Sequence, residues 1–435
     1  MNKVLISTIT VTLLTLSACT ETAKLPASAG FGAKPDLSQM NKKMIATINV
    51  AKAVGWAANT MPTVIKGNTV APFATQLEHP RWLYELPNGD ILVAETNHKE
   101  KSDGFSVKGW IAGKLMANGG AAVPSPNKIM LLRDTNGDGV ADEKHVFLKD
   151  LNSPFGMSLI GDTFYVANAD QVIKFTYKTG ETEITSAPTK VIDLPAGRNH
   201  HWTKNLLASP DGSKLYVSVG SNSNIADHGM EDEIDRATIW EVDLATNAYR
   251  IFASGLRNPN GMVWEPASGA LWTVVNERDE LGSDLVPDYM TSVTDGGFYG
   301  WPYSYYGQHV DDRVQPQNSA LVAKAIVPDY ALGAHTASLG LTPAKGNTLS
   351  PQFANGMFIG QHGSWNRKPY GGYKVIFVPF ANGKPSGEPV DILTGFINNK
   401  GEAQGRPVGV LVNQKGALLV ADDVGNTIWT VRSAQ

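Results

Sequence analysis

The sequence predicts an all-β fold, a six-bladed β-propeller with long inter-strand loops. The first observation is a glycine-containing turn followed by an alternating apolar strand, which recurs six times. The runs are LPNGDILVAE from Leu86, LIGDTFYVAN from Leu159, SPDGSKLYVSVG from Ser209, EPASGALWTVVN from Glu265, FANGMFIGQHG from Phe353 and NQKGALLVADD from Asn413. Period-two alternation after such a turn is a hairpin-strand pattern. The second is spacing: the runs lie roughly 65 residues apart, longer than a bare four-stranded blade of about 40–45 residues, so long loops must separate the strands. The third is composition: 435 residues hold 43 glycines and 25 prolines, as suits short strands and turns in one large all-β unit. The extra length concentrates at 98–128, 279–327 and 363–373, and loops of that length usually carry function. Two stacked sheets or a double domain are the alternatives, against which the regular recurrence argues.

The chain begins with the short positive stretch Met1-Asn2-Lys3 and an apolar run over 4–16, too short to span a bilayer as a mature helix. Leu16-Ser17-Ala18-Cys19 resembles the bacterial lipobox. That resemblance implies cleavage before Cys19, lipidation of its thiol and attachment to a membrane in the periplasm. Thr20 in place of Asp points to the outer membrane. The plainer reading is a secretory peptide with an incidental cysteine. The expected organisation is a signal peptide over 1–18, a small-residue flexible tether over 19–45 and a propeller over 46–435. Cys19 is the only cysteine, so no intramolecular disulfide forms. The net charge of -4 offers no dominant basic face and argues against a nucleic-acid partner.

The candidate site rests on GLRNPNGMVWEP, from Gly255, and NHHWTKNL, from Asn199. Each lies upstream of a P-x-G turn and a short apolar strand, where propeller loops converge on the axis. They supply Arg257, Asn258 and Asn260, and His200 with His201. The histidines are adjacent, so in an extended segment only one faces the axis. An imidazole near neutrality can take a substrate proton. Arg257 and Arg406, the latter in GRPVGVL, hold matching places before a strand, and Arg367 lies in GSWNR. Three guanidiniums at strand entrances suggest a shared anion. The aromatic run 297–302 fits either a stacking platform or a packed corner.

Two stretches suggest cations. Asp134, Asn136, Asp138 and Asp142 match D-x-N-x-D-G-x-x-D, the oxygen spacing of a calcium loop, but position twelve is His145 rather than Glu. The same residues suit a hairpin turn. Asn276-Glu277-Arg278-Asp279-Glu280, followed by Asp284 and Asp288, is a dense acidic loop at a strand end, where adjacent carboxylates repel unless neutralised.

In this order HWTKNLLASPDGSKLYVSVGS, GLRNPNGMVWEP, VNERDELGSDLVPDY, GGFYGWP, HGSWNR and GRPVGV resemble the soluble sugar dehydrogenases that depend on pyrroloquinoline quinone (PQQ), most closely their sorbosone-dehydrogenase branch. The resemblance spans about residues 70–432. It implies PQQ over the central channel, held by calcium and cationic side chains. His201 would be the general base. Arg257 and Asn258 would be cofactor ligands, Arg257 stabilising charge that develops on the quinone oxygen. Asn260 stands where the family often has Gln. Arg406 matches the first arginine of a paired R-x-R whose second position is Val408 here, and Arg367 is the candidate to compensate. The acid that orients the base in the glucose branch falls at about Ser221. Backbone carbonyls of Arg278 and Asp279 would bind calcium, with Asp284 supporting a nearby ion. The implied reaction is oxidation of an aldose or sugar aldehyde by hydride transfer to the quinone, with electrons passed on to a cytochrome or quinone acceptor. The competing readings are a cofactor-free propeller lipoprotein that binds sugar or protein, and a calcium-dependent lactonase-like hydrolase.

Overall fold

The computed structural model describes residues 21–38, 47–98, 113 and 117–434. They form six sheets arranged as the blades of a propeller, antiparallel throughout except where Ala253 and Ser254 pair in parallel with Gly297 and Phe298. The innermost strands are Pro80–Glu85, Met157–Ile160, Leu206–Ala208, Pro259–Trp264, Ser338–Pro343 and Pro407–Val412. Each is followed by a hairpin into a second strand, and the six second strands are the six apolar runs read from the sequence. Their turns need left-handed backbone, which glycine adopts without penalty: Gly89 has φ +89° and Gly416 φ +80°.

Closure joins the two ends of the chain. Asn68–Ala74 pairs antiparallel with Thr427–Ser433, so an early strand completes the sixth blade and leaves no open seam. One hydrophobic cluster fills the space between each pair of neighbouring blades. Between blades six and one it holds Phe73, Leu83, Ile91, Leu419 and Ile428; between four and five it holds Trp272, Met290, Leu341 and Ile376.

The P-x-G segments differ from expectation. Pro210-Asp211-Gly212 is a turn, with Gly212 N–H donating to Ser209 O at 2.9 Å. Pro259-Asn260-Gly261 and Pro407-Val408-Gly409 lie instead within innermost strands. Glycine is needed there because inner strands crowd around the axis. A Cβ on Gly261 would lie 2.7 Å from Leu339 O, one on Gly340 2.2 Å from Val408 O, and one on Gly409 2.7 Å from Arg81 O.

The tether expectation is corrected over residues 21–38, which are docked on the propeller. Phe31–Gly32 pairs with Leu332 and Ala331 at the edge of blade four. The amides of Lys24 and Leu25 donate to Asp284 Oδ2 at 2.7 and 3.3 Å. Ser283 N–H donates to Glu21 Oε2 at 2.9 Å. Cys19 and the apolar run before it lie outside the described residues. Among those described, no helix is long and apolar enough to cross a membrane.

Alternation of strand direction fixes two faces. The six glycine turns and the hairpin over 134–142 lie on one. The connections into each innermost strand and out of each second strand lie on the other, and these carry His79, His201, Arg257, Glu277, Asp279, His335, His362, Arg406 and Asp423. We predict that Gly340→Ala, which must displace the backbone of blade six, lowers stability by about 1–3 kcal/mol. A urea midpoint unchanged from wild type would contradict this account of the axis.

Candidate functional site

His201 sits in the loop entering blade three. Its Nδ1 lies 2.8 Å from Ser221 O and 3.0 Å from Ser221 Oγ. The Ser221 hydroxyl donates to Ser223 O at 2.7 Å, so it accepts from the ring. Both partners therefore call for Nδ1–H, and the lone pair is left on Nε2. Burial first, then the Arg257 charge, holds the His201 pKa well below its usual value. The ring is a neutral base already in the useful tautomer. Ser221 thus orients the base with a carbonyl and a hydroxyl where a carboxylate was expected to be missing. The extended-segment argument about the two histidines fails, because they lie in an irregular loop with their rings 4.6 Å apart at 79°.

Arg257, buried, is fixed by four acceptors. Nε donates to Asn224 O at 3.3 Å, Nη1 to Asn276 O at 3.2 Å and Glu277 O at 2.7 Å, and Nη2 to Asp279 Oδ2 at 2.9 Å. Asn258 is buried beside it, and its Oδ1 has no partner among the described residues. Gly220 lets these groups meet: a Cβ there would lie 2.4 Å from Asn258 Oδ1 and 2.6 Å from His201 Cβ. Asn260 is buried deeper and donates to Thr203 Oγ1 at 3.0 Å, bracing the histidine loop.

The acidic loop forms the next layer. Asp279 bridges Arg257 and His335, whose Nδ1 is 3.3 Å from Asp279 Oδ1. Burial alone would raise the Asp279 pKa, but Arg257 and His335 hold it down. Burial pushes Glu277 up to about 7, and Glu277 Oε1 has no partner. The Arg278 guanidinium turns away to bond Asp311 and its neighbour's carbonyl. The Asp279 carbonyl accepts from Asn224 Nδ2 at 3.2 Å. Asp284, expected beside an ion, instead holds the amides of residues 24 and 25.

Three other candidates are placed elsewhere. Arg367 donates to Pro369 O at 2.8 Å and lies 4.0 Å from Asp284, bracing a rim loop. Asp134, Asn136, Asp138 and Asp142 occupy a hairpin on the opposite face. There Asp134 accepts from Gly137 N at 2.7 Å and from Lys415 Nζ at 2.9 Å, and Asp142 accepts from Thr135 N at 2.7 Å. This is the bonding of the turn reading, with a lysine as counter-ion. Trp301 is buried and donates to Asn224 O at 2.8 Å, which makes 297–302 a packed corner. No three His, Cys, Asp or Glu side chains among the described residues cluster to hold a metal, so a cation at the acidic loop would need backbone oxygens or water as well.

Arg406 donates through its side chain to His362 O, Gly119 O and Gly363 O at 2.9, 3.3 and 3.0 Å. All three are neutral acceptors, and its charge remains available to an anion. Its backbone is fixed by Asp422, which burial raises to about 6. Beside Arg406 stand Arg81, His79, His362 and Asp423, which no local motif marks in the sequence. Lys204, within NHHWTKNL, carries no local sign of its role. Lys204 is fully buried and donates to Asn199 Oδ1, His201 O and Trp202 O at 3.0, 3.0 and 3.2 Å. Burial, with Arg236 nearby, holds its pKa well below that of a free lysine. It is a pin through the base-bearing loop. Lys204→Met removes the Lys204 donor from the carbonyls of His201 and Trp202, while Asn199 Oδ1 keeps Arg236 Nη1 at 3.2 Å, and should lower stability by about 1–3 kcal/mol. A wild-type unfolding midpoint in this variant would show that the loop holds itself.

Residues 62–292 and 307–434 match the TrAA12-like family. An uncharacterised protein of Borreliella burgdorferi is 27% identical over 300 residues, covering 66% of this chain and 77% of that one. The pyrroloquinoline quinone-dependent pyranose dehydrogenase of Coprinopsis cinerea is 24% identical over 431 residues, covering 85% of this chain. The chain spans only 54% of that enzyme's length. Among solved structures, the holo PQQ domain of the Coprinopsis enzyme superposes with a TM-score of 0.69 at 20% identity, covering 88% of this chain and all of that domain. The apo soluble aldose sugar dehydrogenase of Escherichia coli gives 0.56 at 16%, covering 84% and 100%. At such identities these likenesses speak for the shared propeller. With the family match over most of its length, the chain belongs to the TrAA12-like family.

Proposed function

We propose that this protein is a PQQ- and calcium-dependent oxidoreductase that oxidises an aldose or a sugar aldehyde. The observation that carries the reading is a neutral imidazole with a free Nε2 lone pair beside an immobilised guanidinium. The groups present fit the cofactor. Arg257 and Arg406 supply cations for an anionic quinone, and the orphaned buried oxygen of Asn258 awaits a donor. The orphaned Glu277 Oε1 offers an oxygen to a hard cation. When bound, PQQ supplies the hydride acceptor. His201 Nε2 takes the hydroxyl proton of the sugar or of the aldehyde hydrate, while Ser221 holds the ring and keeps its other nitrogen protonated. Arg257 presents a fixed positive charge where negative charge develops, and its four bonds mean that little reorganisation is needed.

A periplasmic, membrane-anchored location through Cys19 belongs to the same reading, with a cytochrome or membrane quinone as electron acceptor. Glu21 is docked on Ser283, next to the loop that carries Asp279. A lipid on Cys19 would therefore hold this face close to the bilayer. Palmitate labelling that survives Cys19→Ala would refute the anchor.

Titration of the purified protein with PQQ and calcium, followed by dye reduction with aldoses and aldehydes, tests the function. Saturable binding with turnover is expected, and failure to bind the quinone would overturn the assignment. His201→Asn should still bind PQQ but lose turnover by a factor on the order of 100 or more. Since the His201 pKa is lowered, the base form persists into acid. The acid limb of kcat/KM should then lie below pH 6.5, the usual imidazole value. A limb above that value would assign the base elsewhere.

A further inference from the structure

The junction of blades six and one carries a second polar cluster. Arg81 Nη1 donates to Asp423 Oδ2 at 2.7 Å, and His362 Nε2 lies 2.8 Å from the same oxygen. His79 Nε2 is 3.7 Å from it. Burial, with the Arg406 and Arg81 charges, pushes His362 down to about 3 and lowers His79. With both rings neutral, Arg81 is matched by the Asp423 carboxylate, while the Arg406 guanidinium bonds only neutral carbonyls. Three polar atoms here are buried with no hydrogen-bond partner among the described residues: Arg81 Nε, His79 Nε2 and Asp423 Oδ1. A guanidinium N–H left unpaired at 9% exposure is costly unless a ligand or water completes it.

The cluster adjoins the reaction centre. The Arg81 guanidinium lies 5.8 Å from the ring centroid of Trp202, the residue after His201. Arg81 is on an innermost strand, and its carbonyl would lie 2.7 Å from a Cβ on Gly409 of the neighbouring one. Val408, where a second arginine was sought, is fully buried in the core. Arg367, the expected substitute, is engaged at the rim.

We propose that Arg81, held by Asp423, joins Arg406 in a carboxylate-binding subsite, so that blade one supplies the second guanidinium that position 408 lacks. Asp423 and His362 position Arg81, and Arg406 supplies the unmatched charge. The ligand class is a planar polycarboxylate, which Arg81 and Arg406 would hold by its carboxylates. This inference rests on the functional reading above.

The test is PQQ binding, read by absorbance and tryptophan quenching, in wild type, Arg81→Met, Arg81→Lys and Arg367→Met, with the PQQ trimethyl ester as second probe. Wild type should prefer the free acid. Arg81→Met should weaken PQQ about ten- to a hundredfold and leave affinity for the ester nearly unchanged. Arg81→Lys should recover part of the loss, and Arg367→Met should bind as wild type. If Arg81→Met does not fold, Arg81→Lys carries the comparison, since it keeps the charge and loses the planar fork. Wild type that fails to bind PQQ overturns the functional reading and this subsite with it. Tight wild-type binding that neither Arg81 variant weakens, or an equal loss for acid and ester, overturns the subsite alone.

Discussion

The Arg257 guanidinium is the constraint on which the site depends. Removing such a charge from water is unfavourable unless its donors are matched, and here two backbone carbonyls of one loop, a third from another and the Asp279 carboxylate match them. The match sets the surrounding ionisation. It helps keep Asp279 charged despite burial, and Asp279 in turn raises the pKa of His335 against the effect of burial. On the other side the same cation helps keep His201 neutral. One buried charge thus gives two nearby histidines opposite tendencies. The arrangement is rigid because the acceptors belong to connections leaving the second strands of blades three and four.

The propeller makes this economy of parts workable. Inner strands approach so closely that glycine is required at several positions, and side chains at their entrances are then brought toward one axis. His79, His201, Arg257, His335 and Arg406 each stand at or just before such an entrance. Blades three and four supply a base and a cation. Blades six and one supply Arg406, Arg81 and Asp423, with Trp202 between the halves. His201 and the Arg406 charge therefore lie on different blades.

The blades were legible because their signal is local: six glycine turns, each followed by an alternating strand. His201, Arg257 and Asn258 were legible because short motifs carry them. The rest depended on contacts that local spacing does not encode. Arg81 and Asp423 are 342 positions apart. Lys204 lies within a motif, but nothing local says that its amine bonds back to its own loop. Asp284 and Arg367 have the right chemistry in the right neighbourhood and serve the docked segment and a rim loop. The calcium-like spacing at 134–142 is also that of an Asx-rich turn, and the loop lies on the far face, where Lys415 donates to Asp134.

Ser221 carries a chemical consequence. A carbonyl and a hydroxyl fix the tautomer of His201 as well as a carboxylate would, but they add no negative charge to stabilise an imidazolium. With Arg257 also opposing protonation, His201 is a well-oriented but weak base. Weak bases are matched to more acidic hydroxyls. The anomeric hydroxyl of a sugar and the gem-diol of a hydrated aldehyde are more acidic than an ordinary alcohol, because a second oxygen on the same carbon withdraws electron density. Under the proposed function, a serine rather than an acid beside His201 would therefore favour oxidation at the carbonyl carbon of a sugar or aldehyde over oxidation of its secondary hydroxyls, through the strength of the base alone.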